Sequence, residues 1–182
     1  LPEERKILQR IKDKIGSIVC VGTGAYITNT DIIDSDNIQA GYDAVKYLAE
    51  LGHTKIGYIG NRTSPMPNRF EGYGKALRDL GFEYDEGIIE NDIEIEGFSV
   101  EEGYELMNRI LDRAKPLPTA VFAGIDSLAI GAIEAIKARG LRVPENISII
   151  GFDDSTEAQN HIPPLTTFRI RKEEMGSLGV KR

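Results

Sequence analysis

The chain has 182 residues, 41% of them hydrophobic and 28% charged, and its 22 Lys plus Arg against 29 Asp plus Glu give a net charge of −7. That composition excludes a disordered segment, and the absence of a basic run excludes an electrostatic grip on nucleic acid by these residues themselves. No apolar run approaches the roughly 20 residues that span a bilayer, no signal-peptide core opens the chain, and the single cysteine, Cys20, excludes an intrachain disulfide.

Helical and strand periods then alternate along the chain. Ile7, Leu8, Ile11 and Ile15 fall on one face of a helix expected over Glu3–Ile15, and a strand is expected at Ser17–Val21. A short apolar run, Ile32-Ile33, leads to a helix starting near Asn37, with Gly41, Val45 and Leu48 inward and Gly52 ending it as the left-handed residue after the last turn. The strand Lys55–Gly60 passes through a loop with Pro65 and Pro67 into a helix using Phe70, Tyr73, Leu77 and Leu80, closed by Gly81. A strand at Gly87–Glu90 precedes a helix opened by a Ser99/Glu102 capping box. The strand Thr119–Ala123 precedes a helix capped by Asp126 and closed by Gly140, and the last strand is Ile147–Gly151. Strands alternating with helices of this length predict an α/β fold, a parallel sheet with helices on both faces.

Parallel strands open their carboxyl ends on one edge, where such sheets bind ligands. The loops expected there carry Arg69, Phe98, Asp126 and Asp153. A guanidinium fork, an aromatic plate and carboxylates suit a small polyhydroxylated ligand, whose hydroxyls need paired donors and acceptors while its C–H faces pack on a ring. Each residue also has a plainer reading: Arg69 as a solvated charge at a helix start, Phe98 as a core residue, Asp126 as an N-cap, and Asp153-Asp154 as a polar turn.

Enzyme signals are missing. Gly22 and Gly24 follow a strand, but Ile27 stands where a dinucleotide fingerprint needs its third glycine. The sequence has no nucleophile elbow and no phosphate-binding Gly-Lys-Ser/Thr loop. The two histidines, Cys20 and scattered acids have no metal-ligand spacing. The chain therefore reads as a binding domain without catalytic residues, cofactor or metal.

Several motifs, in order, resemble the lactose-repressor (LacI) type of bacterial transcription regulators and their effector domain. They are Ser35-Asp36-Asn37 with Gly41, Leu51-Gly52-His53 with Ile56-Gly57-Tyr58-Ile59-Gly60, Arg69-Phe70-Glu71-Gly72-Tyr73, and Pro118 to Ala123. Asp126 to Ala132, Gly140 to Ser148, Gly151-Phe152-Asp153-Asp154 and Pro163-Pro164-Leu165-Thr166-Thr167 complete the set.

The resemblance implies a periplasmic-binding-protein-like type I fold of two subdomains with a small-molecule effector, sugar or related metabolite, in the cleft between them. It implies an incomplete N-terminal subdomain over residues 1–51, a C-terminal subdomain over 52–167 and a crossover over 168–182. Arg69 and Asp153 match positions that meet ligand hydroxyls, Phe98 an aromatic ring on the ligand face, and Gln39 a less regular contact from the other subdomain. Two positions depart from the pattern: Ile125, beside Asp126, and Ile170 stand where relatives carry amides, which leaves the pocket wall less polar.

The family reads operator DNA through a helix-turn-helix head outside this chain, which begins at Leu1 and reads as a piece of a longer protein. It forms homodimers, which points to Ile130, Glu134, His161 and Ile162 as a candidate dimer surface. A cytoplasmic location with no membrane partner follows. An exposed apolar flank on the first helix is expected from the incomplete N-terminal subdomain. The competing reading is a solute-binding protein for sugar transport, of the same general fold.

Overall fold

The computed structural model describes residues 6–7, 10–11, 13–14, 18–22, 30–61, 66–92 and 98–182, and the chain divides into two units, Leu1–Asp36 with Arg171–Arg182, and Asn37–Ile170. In the smaller unit, β1 (Val19–Val21) and β2 (Asp31–Ile33) pair in parallel. A helix, α6 (Lys172–Lys181), lies so close to them that a Cβ on Gly179 would sit 2.7 Å from Val21 Cγ2. The described parts of the first predicted helix are helical, and Ile7 and Ile11 are 54% and 41% exposed, the apolar flank expected there. Leu8, Ile15 and the stretch Gly24–Ile27 lie outside the described residues.

In the larger unit, α1 (Asn37–Glu50), β3 (Ile56–Asn61), α2 (Met66–Leu80), β4 (Ile89–Asp92), α3 (Val100–Arg113) and β5 (Ala120–Ala123) follow one another. Then come α4 (Asp126–Ala138), β6 (Ser148–Asp153), the short α5 (Thr156–Asn160) and β7 (Thr167–Arg169). The sheet order is β4-β3-β5-β6-β7, and every pairing is parallel. Adjacent strand residues point to opposite faces. Ile59, Val121 and Ile149 therefore join the core under α3 and α4, whereas Tyr58, Phe122 and Ile150 join the core under α1 and α2.

Glycines allow the helices of each face to touch. A Cβ on Gly72 would lie 2.0 Å from the Ile38 carbonyl oxygen, and one on Gly41 2.0 Å from that of Arg69, so α1 and α2 meet backbone to backbone. Gly131 and Gly103 do the same for α4 and α3, with a Cβ on Gly131 falling 1.9 Å from the Val100 oxygen. No other residue fits there without spreading the pair.

Four details differ from the sequence reading. The helix Asn37–Glu50 sits in the larger unit, because Ala44, Val45 and Leu48 are buried among Tyr58, Tyr73 and Leu77. The units thus change over at residues 36/37 and 170/171 rather than 51/52 and 167/168. The predicted strand at Gly87 begins instead as a 3-10 turn, Glu86–Ile88, set by Asp85 accepting the Gly87 N–H at 2.8 Å. Finally, β6 runs on to Asp153, where the chain leaves the sheet at a positive φ. Among the described residues no helix is long and apolar enough to cross a membrane.

Candidate functional site

The sheet order reverses direction between β3 and β5, the position where doubly wound sheets leave a crevice at their carboxyl ends. Gly124 follows β5 directly, and its carbonyl accepts from Arg69 Nη1. Arg69 Nε donates to Asn37 Oδ1 at 2.9 Å, its Nη2 lies 3.7 Å from Asp153 Oδ1, and its guanidinium carbon stands 3.5 Å from the centre of the Phe152 ring. Arg69 is only 3% exposed, so it is a buried cation held by a fork of acceptors and an aromatic face rather than a solvated charge. Its field is felt next door. Burial pushes the Tyr58 phenol far above its ordinary value, and the Arg69 cation pulls the other way.

Asp153 ends β6 with φ 118°, and Asp154 follows with φ 54°. Successive left-handed residues that are not glycine cost free energy and persist only where neighbouring bonds fix them. Here Asp154 accepts Gln159 Nε2 at 3.1 Å and Arg169 Nε, while its N–H donates to Thr167 Oγ1 at 3.4 Å. This leaves the Asp153 side chain about one-fifth exposed beside Arg69. Asp154 organises the turn, and Asp153 presents the carboxylate.

Asp126 does not cap α4. The capping position is Ile125, which offers no side-chain bond, and Asp126 is the first helical residue. Its buried carboxylate accepts the Ser155 N–H at 2.7 Å and the Thr167 hydroxyl at 2.5 Å. It thereby ties the turn after Asp153 to β7. Buried and bonded to a protein donor at each oxygen, Asp126 holds this edge of the sheet together. Ile125 packs part-buried against the core under α3 and α4.

Phe98 stands one residue before the Ser99 cap of α3, 38% exposed, and its carbonyl accepts the Ser127 hydroxyl from the start of α4. A backbone bond of the aromatic residue therefore ties it to the Gly124–Ser127 turn. Gln39 does not come from the other unit: it lies on α1 of the same unit, and its amide donates to Asp43 Oδ1 at 2.9 Å. Ile170 packs against the core under α1 and α2. The sequence reading passed over Phe152, Ser155 and the side-chain role of Asn37, although Asn37 and Phe152 stand inside quoted motifs.

The candidate dimer residues are not alike. Ile130 is buried beneath the surface, Glu134 is exposed, His161 is half-buried with Nδ1 2.8 Å from the Pro163 carbonyl, and Ile162 is 86% exposed. Among the described residues, no group of three or more His, Cys, Asp or Glu could hold a metal ion.

Residues 45–182 match the periplasmic binding protein-like domain. Over 152 residues the chain is 43% identical to the transcriptional repressor PurR of Haemophilus influenzae, covering 81% of this chain and 43% of that protein. It is 42% identical over 149 residues to the transcriptional regulator DegA of Bacillus subtilis, covering 81% of this chain and 42% of that one. The crystal structure of a LacI-family regulatory protein from Chloroflexus aggregans superposes with a TM-score of 0.84 at 28% identity, over 96% of this chain and 62% of that chain. The chain thus spans less than half the length of these curated relatives. It belongs to the periplasmic-binding-protein-like family, as the effector-binding domain of a LacI-type transcriptional regulator.

Proposed function

We propose that this domain senses a small, sugar-like molecule at the carboxyl edge of its five-stranded sheet and passes the binding event to operator DNA through a helix-turn-helix head of the parent protein. The observation that carries the proposal is the buried Arg69, stacked on Phe152 and 3.7 Å from the partly exposed Asp153 at the sheet's reversal point. In this reading Asp153 accepts ligand hydroxyls, Arg69 donates to them, and Phe98 packs on the ligand's apolar face. Ile125 and Ile170, each part-buried against its own core, offer a ligand no amide, which favours one with fewer hydroxyls than a free hexose. Relatives named as regulators support this reading over solute transport. The parent acts as a homodimer that uses the surface at Glu134, His161 and Ile162, the last of which is almost fully exposed.

A thermal-shift screen of sugars, nucleosides and phosphorylated metabolites against the full-length protein tests the assignment, run in parallel on Asp153→Asn and Phe98→Ala. The expected outcome is a compound class that stabilises the wild type and is weakened in both variants. Equal stabilisation of all three proteins would refute the edge as the binding site.

A further inference from the structure

Asn37 is the first residue after the crossing at Asp36-Asn37 and the first residue of α1. An asparagine at a helix start ordinarily serves the backbone amides of its own first turn. Here Oδ1 accepts from Arg69 Nε at 2.9 Å, 32 residues along the chain, and both residues are buried, each 3% exposed. A second contact backs the first. One turn on, Gly41 packs so closely on Arg69 that a Cβ there would lie 2.0 Å from the Arg69 carbonyl oxygen. The opening turn of α1 is thus fixed to Arg69 both by a side chain and by backbone.

We infer that Asn37 is a positioning residue of the ligand edge: it sets the plane of the Arg69 guanidinium, and through that bond occupancy of the edge is felt at the Asp36-Asn37 crossing. The inference rests on the ligand edge proposed above. A guanidinium is planar, so two bonds determine its direction. With Nε on Asn37 and Nη1 on the Gly124 carbonyl, Nη2 turns toward Asp153 Oδ1, 3.7 Å away. A ligand hydroxyl seated between Arg69 and Asp153 pulls on that same plane, and the Nε bond carries the pull to Asn37. The guanidinium also lies over the Phe152 ring, which stacks on Phe168 of β7 with 6.0 Å between centroids. Stacked faces slide at little cost, whereas a hydrogen bond weakens steeply once it is bent, so the directional link is the one to Asn37. Segments that join two units absorb the backbone changes of domain closure, and a bond at the first residue past the crossing is placed to bias them.

Calorimetric titration and hydrogen-exchange mass spectrometry of the full-length protein with methyl β-D-xylopyranoside, a pyranoside with fewer hydroxyls than a free hexose, test this. In the wild type the glycoside should slow exchange over residues 36–42 about threefold, the scale of a modestly stabilised local opening. Residues 106–111, in the core on the opposite face of the sheet, should not respond. Asn37→Leu should weaken binding about tenfold, the worth of one charged hydrogen bond, and lose the exchange response even at saturating glycoside. Asn37→Asp, which keeps the acceptor, should restore both. Should leucine prevent folding, Asn37→Ser, which suits a helix start but is too short to reach Nε, should show the same two losses. Binding that falls in Asp153→Asn but is unchanged in Asn37→Leu and Asn37→Ser would overturn the inference and leave the ligand edge standing. So would an exchange response that survives in those variants or is missing in a wild type that binds. No binding to the wild type, or binding indifferent to Asp153→Asn, would overturn the ligand edge and the inference with it.

Discussion

Arg69 shows what a residue-by-residue reading of the sequence can and cannot reach. Its type and its place at the start of a helix suggested a fork for a ligand, but the acceptors it uses within the protein come from Asn37 and from Gly124, distant in sequence. Spacing carries no information about such partners. Truncating it to Met should therefore cost about 3 kcal/mol in a denaturant titration, since the acceptors and the Asp153 charge lose their buried partner. Asp126 was misread for the same reason. Its carboxylate serves Ser155 and Thr167 rather than its own helix, so Asp126→Ala should destabilise by about 2 kcal/mol and Asp126→Asn, which keeps an acceptor, by less. At Asp85 the Lys55 ammonium, helped by the Gly87 N–H, holds the carboxyl below its ordinary value. A depressed folded-state pKa contributes stability above the unfolded value of about 3.9 and loses it as the pH falls through the lower one. Asp85→Asn should accordingly flatten the acid limb of the stability curve, read from urea midpoints between neutral pH and the acid transition.

At the scale of elements, the sequence was most legible where the signals were local. The Ser99/Glu102 capping box is present, with Ser99 N–H donating to Glu102 Oε2 at 2.7 Å, and Ser99→Ala should cost about 1 kcal/mol. Strand positions followed from short apolar runs, because strands buried on both faces write themselves that way. The partner of each helix was not legible. Periodicity identified the buried face of Asn37–Glu50 without saying which unit it covers, and the answer lies in the glycine contact of α1 with α2. Two substitutions two residues apart test that contact. Gly72→Ala should destabilise by at least about 2 kcal/mol, because its Cβ would strike the Ile38 carbonyl, backbone that cannot yield locally. Gly74→Ala should be neutral or stabilise by about 0.5 kcal/mol, since its Cβ would meet nothing closer than Arg78 Nη1 at 3.5 Å. Equal losses at both positions would show that helix propensity, not close packing, governs the pair.

For the whole molecule, the chain order of strands and helices was enough to name an α/β sheet, and the motif series was enough to name the regulator family. Where the chain passes between units was not, because a crossing leaves no mark in composition; Asp36-Asn37 and Ile170-Arg171 read like any loop. The proposed sensing role rests on linkage: a ligand that changes operator affinity must have its own affinity changed equally by the operator. The decisive measurement is a calorimetric titration of the full-length protein and its Asp153→Asn variant with the compound that best stabilises the wild type, with and without operator DNA. The expected result is binding at least about tenfold weaker in the variant, the scale of one charged hydrogen bond, and a wild-type affinity that shifts when operator is present. Identical affinities in the two proteins, or an affinity indifferent to operator, would contradict the account.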